Sequence, residues 1–272
     1  MIHLSTRFPF TPIRRRQLMN YPNTESFEML FGCPAEVERA KQEAWPILIP
    51  VGTVEYHSHH CPFGCDSLVA MGLAHRLANE VNCMVMPPIH YGVASYAVGG
   101  ADKNTVHVDC DTFEQYVYCI LKSLFRAGIH KNIFFIIAHQ TEDFNPMELA
   151  CRKAARKLIF EWLEETDGEG WWGRRENKDF YENLRGKDNP WNWVRFLCTR
   201  SEKDIVIVPG DHAGIAECSC LEALFPGTIK LDRLDASEDW FAETAVGTSA
   251  ELGERSIAAW LEEYLPKLRD EE

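Results

Sequence analysis

The chain has 272 residues, 46% of them hydrophobic and 25% charged, and a formal net charge of -13 at pH 7. Its composition is typical of a soluble globular protein. The acidic balance argues against nucleic acid or an anionic membrane as a partner, because both need a basic face. Residues 1–20 lack the apolar core of a signal peptide, and no apolar run approaches the ~18 residues of a membrane span. We therefore expect a cytoplasmic protein whose ten cysteines, none of them in a CxxC pair, are reduced thiols.

Apolar and amphipathic segments alternate along the chain after a polar N-terminal arm of about residues 1–33, which is predicted to be irregular. The predicted strands are the apolar runs at residues 47–51, 83–86, 132–138 and 205–208. The predicted helices span residues 34–44, 66–81, 111–127, 146–165, 217–224 and 248–267. This alternation predicts an α/β fold with a mostly parallel central sheet, formed as one domain by residues 1–272.

A tryptophan-rich insertion at about residues 165–200 interrupts this alternation. It contains Trp171, Trp172, Trp191 and Trp193 among charged residues and glycines. An irregular stretch of this length in a compact domain is usually a lid, a binding loop or an oligomer contact. Two hypotheses stay open: burial against a neighbouring subunit or a substrate, and packing of the insertion on its own domain.

The loop after the strand at residues 47–51 carries the densest set of metal-binding side-chain types. Glu55, His57 and Asp66 lie between that strand and a predicted helix, where open α/β sheets bind their ligands. Glu55 and His57 are two residues apart, so their side chains point the same way in an extended segment. Imidazole and carboxylate together suit zinc, manganese or iron. Cys61 and Cys65 lie in the same loop, and the alternative interpretation is a polar surface loop.

Three other loops after predicted strands carry polar side chains. His139 follows residues 132–138, and His212 and Glu217 follow residues 205–208. The loops after residues 83–86 hold His90, Tyr96, Asp102 and Lys103. The carboxyl ends of parallel strands are therefore predicted to bring several of these side chains to one edge of the sheet.

These segments resemble the signatures of the creatininase family of metal-dependent amidohydrolases. The first signature, close to G-S-x-E-x-H-G-x-H-x-P-x-x-T-D, corresponds to residues 52–66, with its Glu, His and Asp spacing intact. The second, N-G-H, keeps His139 without the Asn-Gly, and Ile215 replaces one Glu of the third, H-A-G-E-x-E-T-S. The third signature keeps His212, Gly214, Glu217 and Ser219. The resemblance covers about residues 45–265 and implies a three-layer α/β/α sandwich with a mostly parallel sheet.

The resemblance also implies two divalent metal ions, with zinc or manganese favoured over iron or magnesium. Asp66 would bridge the two ions. Glu55 and His139 would complete one position, and His57 and Glu217 would complete the other. A carboxylate shared between two ions would keep the pair together, which is why the chemistry needs this residue type at the centre.

The remaining candidate residues are expected to act in catalysis or substrate binding. His212 is the candidate proton shuttle or oxyanion partner, and Glu217 is counted with it as a catalytic residue. Glu142, just after the second-signature histidine, is the alternative to Glu217 as a metal ligand. The candidate substrate-binding residues are His60, His90, Tyr96, Asp102 and Lys103. His60 is more strongly expected to orient a ligand.

The implied activity is hydrolysis of a small cyclic polar substrate, because two metal ions ionise a shared water and polarise a carbonyl. The family includes hydrolases of cyclic amides and formamides, and hydrolases that open a diketo-inositol ring at a carbon–carbon bond. The polar residues 99–105 replace a more apolar family segment, so a sugar-derived cyclic ketone is kept beside a cyclic amide. The alternative is a binding or scaffold member that has lost catalysis. Family members are commonly oligomeric, so a homo-oligomer is expected.

Overall fold

The computed structural model describes residues 21–271, except residues 140–144, 181, 183, 201–202 and 236–237. Within this range, strands β1 to β5 form one sheet in the order β1-β3-β2-β4-β5, and all neighbouring strands are parallel. The strands are β1 (Phe27–Glu28), β2 (Ile47–Val51), β3 (Met84–Val85), β4 (Ile133–Ile137) and β5 (Val194–Cys198). The α-helices of this range are α1 (Pro34–Gln42), α2 (Cys65–Ala78), α3 (Cys110–Arg126), α4 (Pro146–Asp167), α5 (Ile215–Leu224) and α6 (Ala250–Arg269).

Side chains of the central strand β4 alternate between two hydrophobic cores, as the pleat of a strand requires. Ile133, Phe135 and Ile137 pack with α3 and α4 on one face of the sheet. Phe134 and Ile136 pack with α2, α5 and α6 on the other face. A strand covered on both faces needs apolar residues throughout, which β4 has. The chain is therefore a three-layer α/β/α sandwich with a parallel sheet, as predicted.

The prediction of a strand at residues 205–208 is wrong. These residues form turns, and Ile205 and Val206 are 52% and 82% exposed. The N–H group of Ile207 donates to the carbonyl oxygen of Asp204 at 2.8 Å, instead of to a neighbouring strand. A run of β-branched residues has strand composition, but without a partner strand its backbone groups are satisfied locally.

The edge strand that pairs with β4 is instead β5, and it lies inside the predicted insertion. It mixes buried Val194 and Leu197 with half-buried Arg195 and Phe196. As the last strand of the sheet it is covered less completely, so its sequence is not a continuous apolar run. The irregular segment therefore ends before β5 and is shorter than the predicted insertion.

Three of the four tryptophans of that region pack on the chain's own core. Trp171 and Trp193 are each 7% exposed, and Trp191 is partly buried against the core beside α3 and α4. Trp172 is 58% exposed. Most tryptophans of this segment are therefore buried against the chain's own core.

The predicted irregular arm is partly ordered into the sheet. Residues 1–20 lie outside the described range, but Phe27–Glu28 pairs with Met84–Val85 as β1. Tyr21 is 8% exposed, and its hydroxyl lies 2.6 Å from Nδ1 of His75 on α2. A two-residue strand is too short to show a hydrophobic period, so the sequence pattern did not indicate it. None of the helices in the described residues combines the length and the apolar character needed to cross a membrane.

Candidate metal centre

The five proposed metal ligands meet at the carboxyl ends of the central strands. β2 leads into the loop that carries Glu55 and His57, and β4 leads to His139. Asp66 is the second residue of α2. Glu217 is in the first turn of α5, which packs against α2. The sheet thus supplies three of these side chains, and the helix layer on one face supplies two.

Asp66 lies between two groups of ligand atoms. Its Oδ1 is 3.8 Å from Nε2 of His57, and its Oδ2 is 3.6 Å from Nδ1 of His139. On one side, Oε2 of Glu55 is 2.9 Å from Nδ1 of His139. On the other side, Oε2 of Glu217 is 3.6 Å from Nε2 of His57. Ligand atoms of Glu55, Asp66 and His139 all lie within 4.8 Å of one another, as a single metal position requires.

The start of α2 approaches the end of β2 closely, and this holds Asp66 in position. A Cβ atom at Gly52 would lie 2.4 Å from the backbone nitrogen of Ser67, so no larger residue fits. The Ser67 hydroxyl donates to the carbonyl oxygen of Thr53 at 3.1 Å, and the Thr53 hydroxyl donates to Oδ2 of Asp66. The carboxylate of Asp66 is therefore fixed by the backbone and by a hydroxyl.

His57 has a buried nitrogen that suits a cation. Its Nδ1 lies 3.0 Å from the carbonyl oxygen of Glu55, which assigns the proton to Nδ1 and leaves a lone pair on Nε2. The side chain is fully buried, and Nε2 has no hydrogen-bond partner among the described residues. A buried polar atom without a partner is costly, and a bound metal would satisfy it. This orphaned nitrogen, with carboxylates around it, shows that the residues fit a divalent ion.

His139 is held in an uncommon backbone conformation. Its φ is +71°, in the left-handed region that non-glycine residues rarely adopt. Such strain concentrates at functional sites, where the surrounding structure enforces it. Here it directs the imidazole back toward Glu55 and Asp66.

Burial and mutual interaction shift the pKa values of the cluster. Burial lowers the pKa of His139, but the carboxylates of Asp66 and Glu55 outweigh burial and raise it to about 10. Burial raises the pKa of Asp66, but His57 and His139 outweigh burial and hold it below its usual value. Burial raises the pKa of Glu217 to about 8, with the nearby Asp66 adding to the effect. Without a cation, the cluster therefore retains protons at neutral pH.

The loop before α5 positions Glu217. The Asp211 carboxylate accepts hydrogen bonds from the N–H groups of Ala216 and Glu217 at 2.8 and 3.2 Å, which caps the helix. The N–H of Ala213 donates to Oε2 of Glu217 at 2.8 Å. His60 is 1% exposed, and its Nε2 lies 2.9 Å from the carbonyl oxygen of Ala213. His60 therefore orients this loop, whereas its role in substrate binding stays a prediction.

Asp211 was not predicted as a functional residue. It precedes the predicted helix start at Glu217 by more than one turn, and Gly214 holds the N-cap position, so the usual capping signal did not point to it. Arg200 was also missed, and it lines a cavity of about 60 Å³ together with Asp66, His139 and Glu217. Arg200 follows β5, the strand that the apolar pattern did not reveal, so no sequence signal pointed to it.

His212 lies beside the cluster and is hydrogen-bonded to the ligand loop at Tyr56. Its Nε2 is 2.9 Å from the carbonyl oxygen of Tyr56. The Tyr56 hydroxyl donates to Oδ2 of Asp239 at 2.7 Å, and Nζ of Lys103 lies 4.8 Å from the centroid of the Tyr56 ring. Ligand atoms of Glu55 and His212, with one from His57, also lie within 4.8 Å of one another. Lys103 thus borders the site by way of Tyr56.

The other predicted substrate-binding residues are exposed on loops near the site. His90 and Tyr96 follow β3, and Asp102 is in a short 3-10 helix at Ala101–Lys103. This loop packs along the ligand loop, because the N–H of Tyr56 donates to Oγ1 of Thr105 at 3.1 Å. Their contact with a substrate stays a prediction. Glu142, the alternative metal ligand, lies outside the described residues.

A parallel sheet with imidazoles and carboxylates gathered at its carboxyl edge is the architecture of a metal-dependent enzyme. A family model described as creatininase, creatinine amidohydrolase, matches residues 34–263. The chain therefore belongs to the creatininase family and is a metal-dependent hydrolase.

Two relatives that match the chain are named for different substrates. The chain is similar to the creatinine amidohydrolase of Pseudomonas putida, at 24% identity over 193 residues, which are 69% of this chain and 67% of that protein. It is also similar to the 3-dehydro-scyllo-inosose hydrolase of Thermotoga maritima, at 32% identity over 87 residues. That second match spans 32% of this chain and only 28% of the relative.

Solved creatininase structures share the fold. A mutant creatininase of the Zn-Zn type aligns with a TM-score of 0.68 and 19% identity, over 91% of this chain and 98% of that chain. A creatininase designated Mn aligns with a TM-score of 0.67 and 19% identity, over 91% and 99% of the two chains. These similarities show that almost the whole chain shares the fold of these creatininase structures.

Proposed function

We propose that this chain is a binuclear hydrolase that attacks a carbonyl of a small cyclic polar substrate. The observation that carries the proposal is the position of Asp66. Its two oxygens face two different imidazoles, His139 on one side and His57 on the other, at 3.6 and 3.8 Å. Each imidazole has a further carboxylate beside it, Glu55 or Glu217. One bridging carboxylate with a histidine and a carboxylate on each side is a donor set suited to two zinc or manganese ions.

When bound, a pair of divalent ions supplies an ionised water and polarises the substrate carbonyl. The chain's own groups set the geometry and move the protons. Asp66 would hold both ions through its two carboxylate oxygens. His212 directs Nε2 to the carbonyl oxygen of Tyr56, so the proton is assigned to Nε2 and the lone pair to Nδ1. We assign Nδ1 as the group that accepts a proton and returns it to the departing atom.

The substrate belongs to one of two classes, and each has a relative that favours it. The similarity to a creatinine amidohydrolase covers more of the chain and favours a cyclic amide. The similarity to an inosose hydrolase is higher in identity and favours a cyclic polyol ketone opened at a carbon–carbon bond. The charged loop at Ala101–Lys103, next to Tyr56, offers hydrogen-bonding groups for hydroxyls and supports the second class.

Two measurements test the proposal. Elemental analysis of protein purified without chelators should find about two divalent ions per chain. A panel of cyclic amides and cyclic polyol ketones should then show turnover. Release of amine or ammonia supports the first class, and release of acid without amine supports the second. A chain that binds no zinc or manganese, or that turns over neither class when loaded, contradicts the proposal.

We also infer a cytoplasmic homo-oligomer. All ten cysteines are free thiols, which fits a reducing compartment. Trp172 and Trp240 are 58% and 77% exposed and offer aromatic surface for a subunit contact. Light scattering on the purified chain measures the oligomeric state, and a monomer at micromolar concentration contradicts this inference.

A further inference from the structure

Cys65 borders the metal position that His57 and Glu217 are proposed to form. Its Sγ, a nitrogen of His57 and a carboxylate oxygen of Glu217 all lie within 4.8 Å of one another. The first creatininase signature has threonine at this point of the motif. The thiol is therefore an addition to the ligand set that the resemblance implies.

The burial of this group supports a bound ligand. Cys65 is 1% exposed and is the first residue of α2, so the helix backbone fixes the direction of its side chain. Nε2 of His57 is 3.6 Å from Oε2 of Glu217, and it is buried without a hydrogen-bond partner among the described residues. A cation among these three residues would satisfy that nitrogen and would contact the sulfur at the same time.

We propose that Cys65 is a sulfur ligand of this metal position, which it completes together with His57, Asp66 and Glu217. This inference rests on the proposed binuclear function. Binding forms one metal–sulfur bond and releases the thiol proton to solvent, with no change in oxidation state. A thiolate is a soft donor that favours zinc over manganese. The position at Glu55, Asp66 and His139 has only nitrogen and oxygen donors, so zinc preference is confined to the Cys65 side.

A second buried cysteine near the site provides the matched control. Sγ of Cys218 lies 3.4 Å from Nε2 of His60 and 3.4 Å from the carbonyl oxygen of Ala213. It belongs to none of the candidate ligand groups found in the described residues. Replacing Cys218 therefore removes a buried thiol from the same region without removing a proposed ligand.

Cobalt substitution tests the proposal in the full chain. The metal-free protein is loaded with Co²⁺, and the near-ultraviolet band of sulfur-to-cobalt charge transfer is recorded. Wild type and Cys218→Ser should show the band, and Cys65→Ser should lack it while still binding cobalt. In a zinc and manganese competition, Cys65→Ser should lose about tenfold or more of the zinc preference.

X-ray absorption spectroscopy of the zinc-loaded wild type needs no variant, so this test remains valid even if Cys65→Ser does not fold. It should show a zinc–sulfur distance of about 2.3 Å besides nitrogen and oxygen ligands at about 2.0–2.1 Å. Two zinc ions per chain with only nitrogen and oxygen scattering would overturn the Cys65 assignment and leave the binuclear function intact. A chain that binds no metal would overturn both.

Discussion

His57 and His212 stack on each other, with ring centroids 4.2 Å apart and ring planes inclined by 26°. Nε2 of His57 faces Asp66 and Glu217, whereas Nε2 of His212 faces the carbonyl oxygen of Tyr56. The stack thus presents a second imidazole beside a proposed metal ligand, with its own hydrogen bond to the backbone. That geometry is compatible with the proposed division of roles, in which His57 holds a metal ion and His212 transfers protons.

The proton-transfer role predicts the effect of His212→Phe. Phenylalanine keeps an aromatic ring to stack on His57 but cannot carry a proton. We expect kcat to fall by about 10²–10⁴-fold, the usual contribution of general acid–base catalysis, with the metal content unchanged. His59→Phe is the control, because His59 is exposed and bonded to Glu238, so its replacement should leave kcat nearly unchanged. Loss of a metal ion from His212→Phe would instead make His212 a ligand.

The bridging role predicts the effect of Asp66→Asn. The amide is nearly the same size but offers one carbonyl oxygen in place of two anionic oxygens. We expect elemental analysis to find less than one ion per chain after mild chelation, and kcat/KM to become unmeasurable. Asp109→Asn is the control, because that side chain is 88% exposed and makes no capping hydrogen bond to α3. Retention of both ions by Asp66→Asn would disprove bridging.

Metal binding is predicted to release protons at neutral pH. In the metal-free chain the pKa of His139 is raised to about 10 and that of Glu217 to about 8, so both groups are protonated at pH 7. A metal ion must displace these protons, and its apparent affinity should rise as pH increases. Titration calorimetry in two buffers of different ionisation enthalpy measures the protons released. Equal apparent enthalpies in the two buffers would contradict this.

The same shifts predict that the metal-free chain loses stability as pH rises. Glu217 stabilises the fold fully below its ordinary pKa of 4.5, and this contribution is lost as pH rises through about 8. His139 contributes fully below 6.5 and loses its contribution as pH rises through about 10. Asp66, with its lowered pKa, acts at the acid end, where stability is lost as pH falls. Thermal unfolding in chelator should therefore show Tm falling from pH 6 to pH 9, and a flat or rising Tm would refute it.

The close approach of β2 to α2 predicts the effect of Gly52→Ala. The new methyl group would lie 2.4 Å from the backbone nitrogen of Ser67, so the helix start must move. We expect a loss of about 1–3 kcal/mol in the free energy of unfolding, the usual cost of overpacking, and weaker metal binding through Asp66. Gly64→Ala is the control, because its nearest neighbouring atom, Cγ of Leu68, is 3.9 Å away. Denaturant unfolding that gives equal stabilities for the two variants would contradict this.

The apolar pattern located β2 and β4 because both are central strands covered on two faces. It failed for β5, where Arg195 interrupts an edge strand, and it selected residues 205–208, which have strand composition without a partner. Strand pairing is a long-range property, and composition alone does not report it.

The candidate site was predictable to the extent that motif spacing fixes it. Glu55, His57 and Asp66 lie in one short segment between β2 and the first turn of α2, and the resemblance supplied His139 and Glu217. Their proximity depends on how α2 packs on α5, which one sequence does not show. The proximity of Cys65 to the cluster depends on helix phase, since α2 begins at Cys65 and not at the predicted Asp66.

The proposed ligands are spread unevenly along the chain, and this orders their assembly. Glu55, Asp66 and His139 all precede α4, so one metal position is complete in sequence once about half of the chain has been made. The other position is complete in sequence only after Glu217 on α5 has been synthesised. An ion captured early would join α2 to the end of β4 while α5 and α6 are still absent. The second ion would then attach α5 to a framework that the first ion had already fixed.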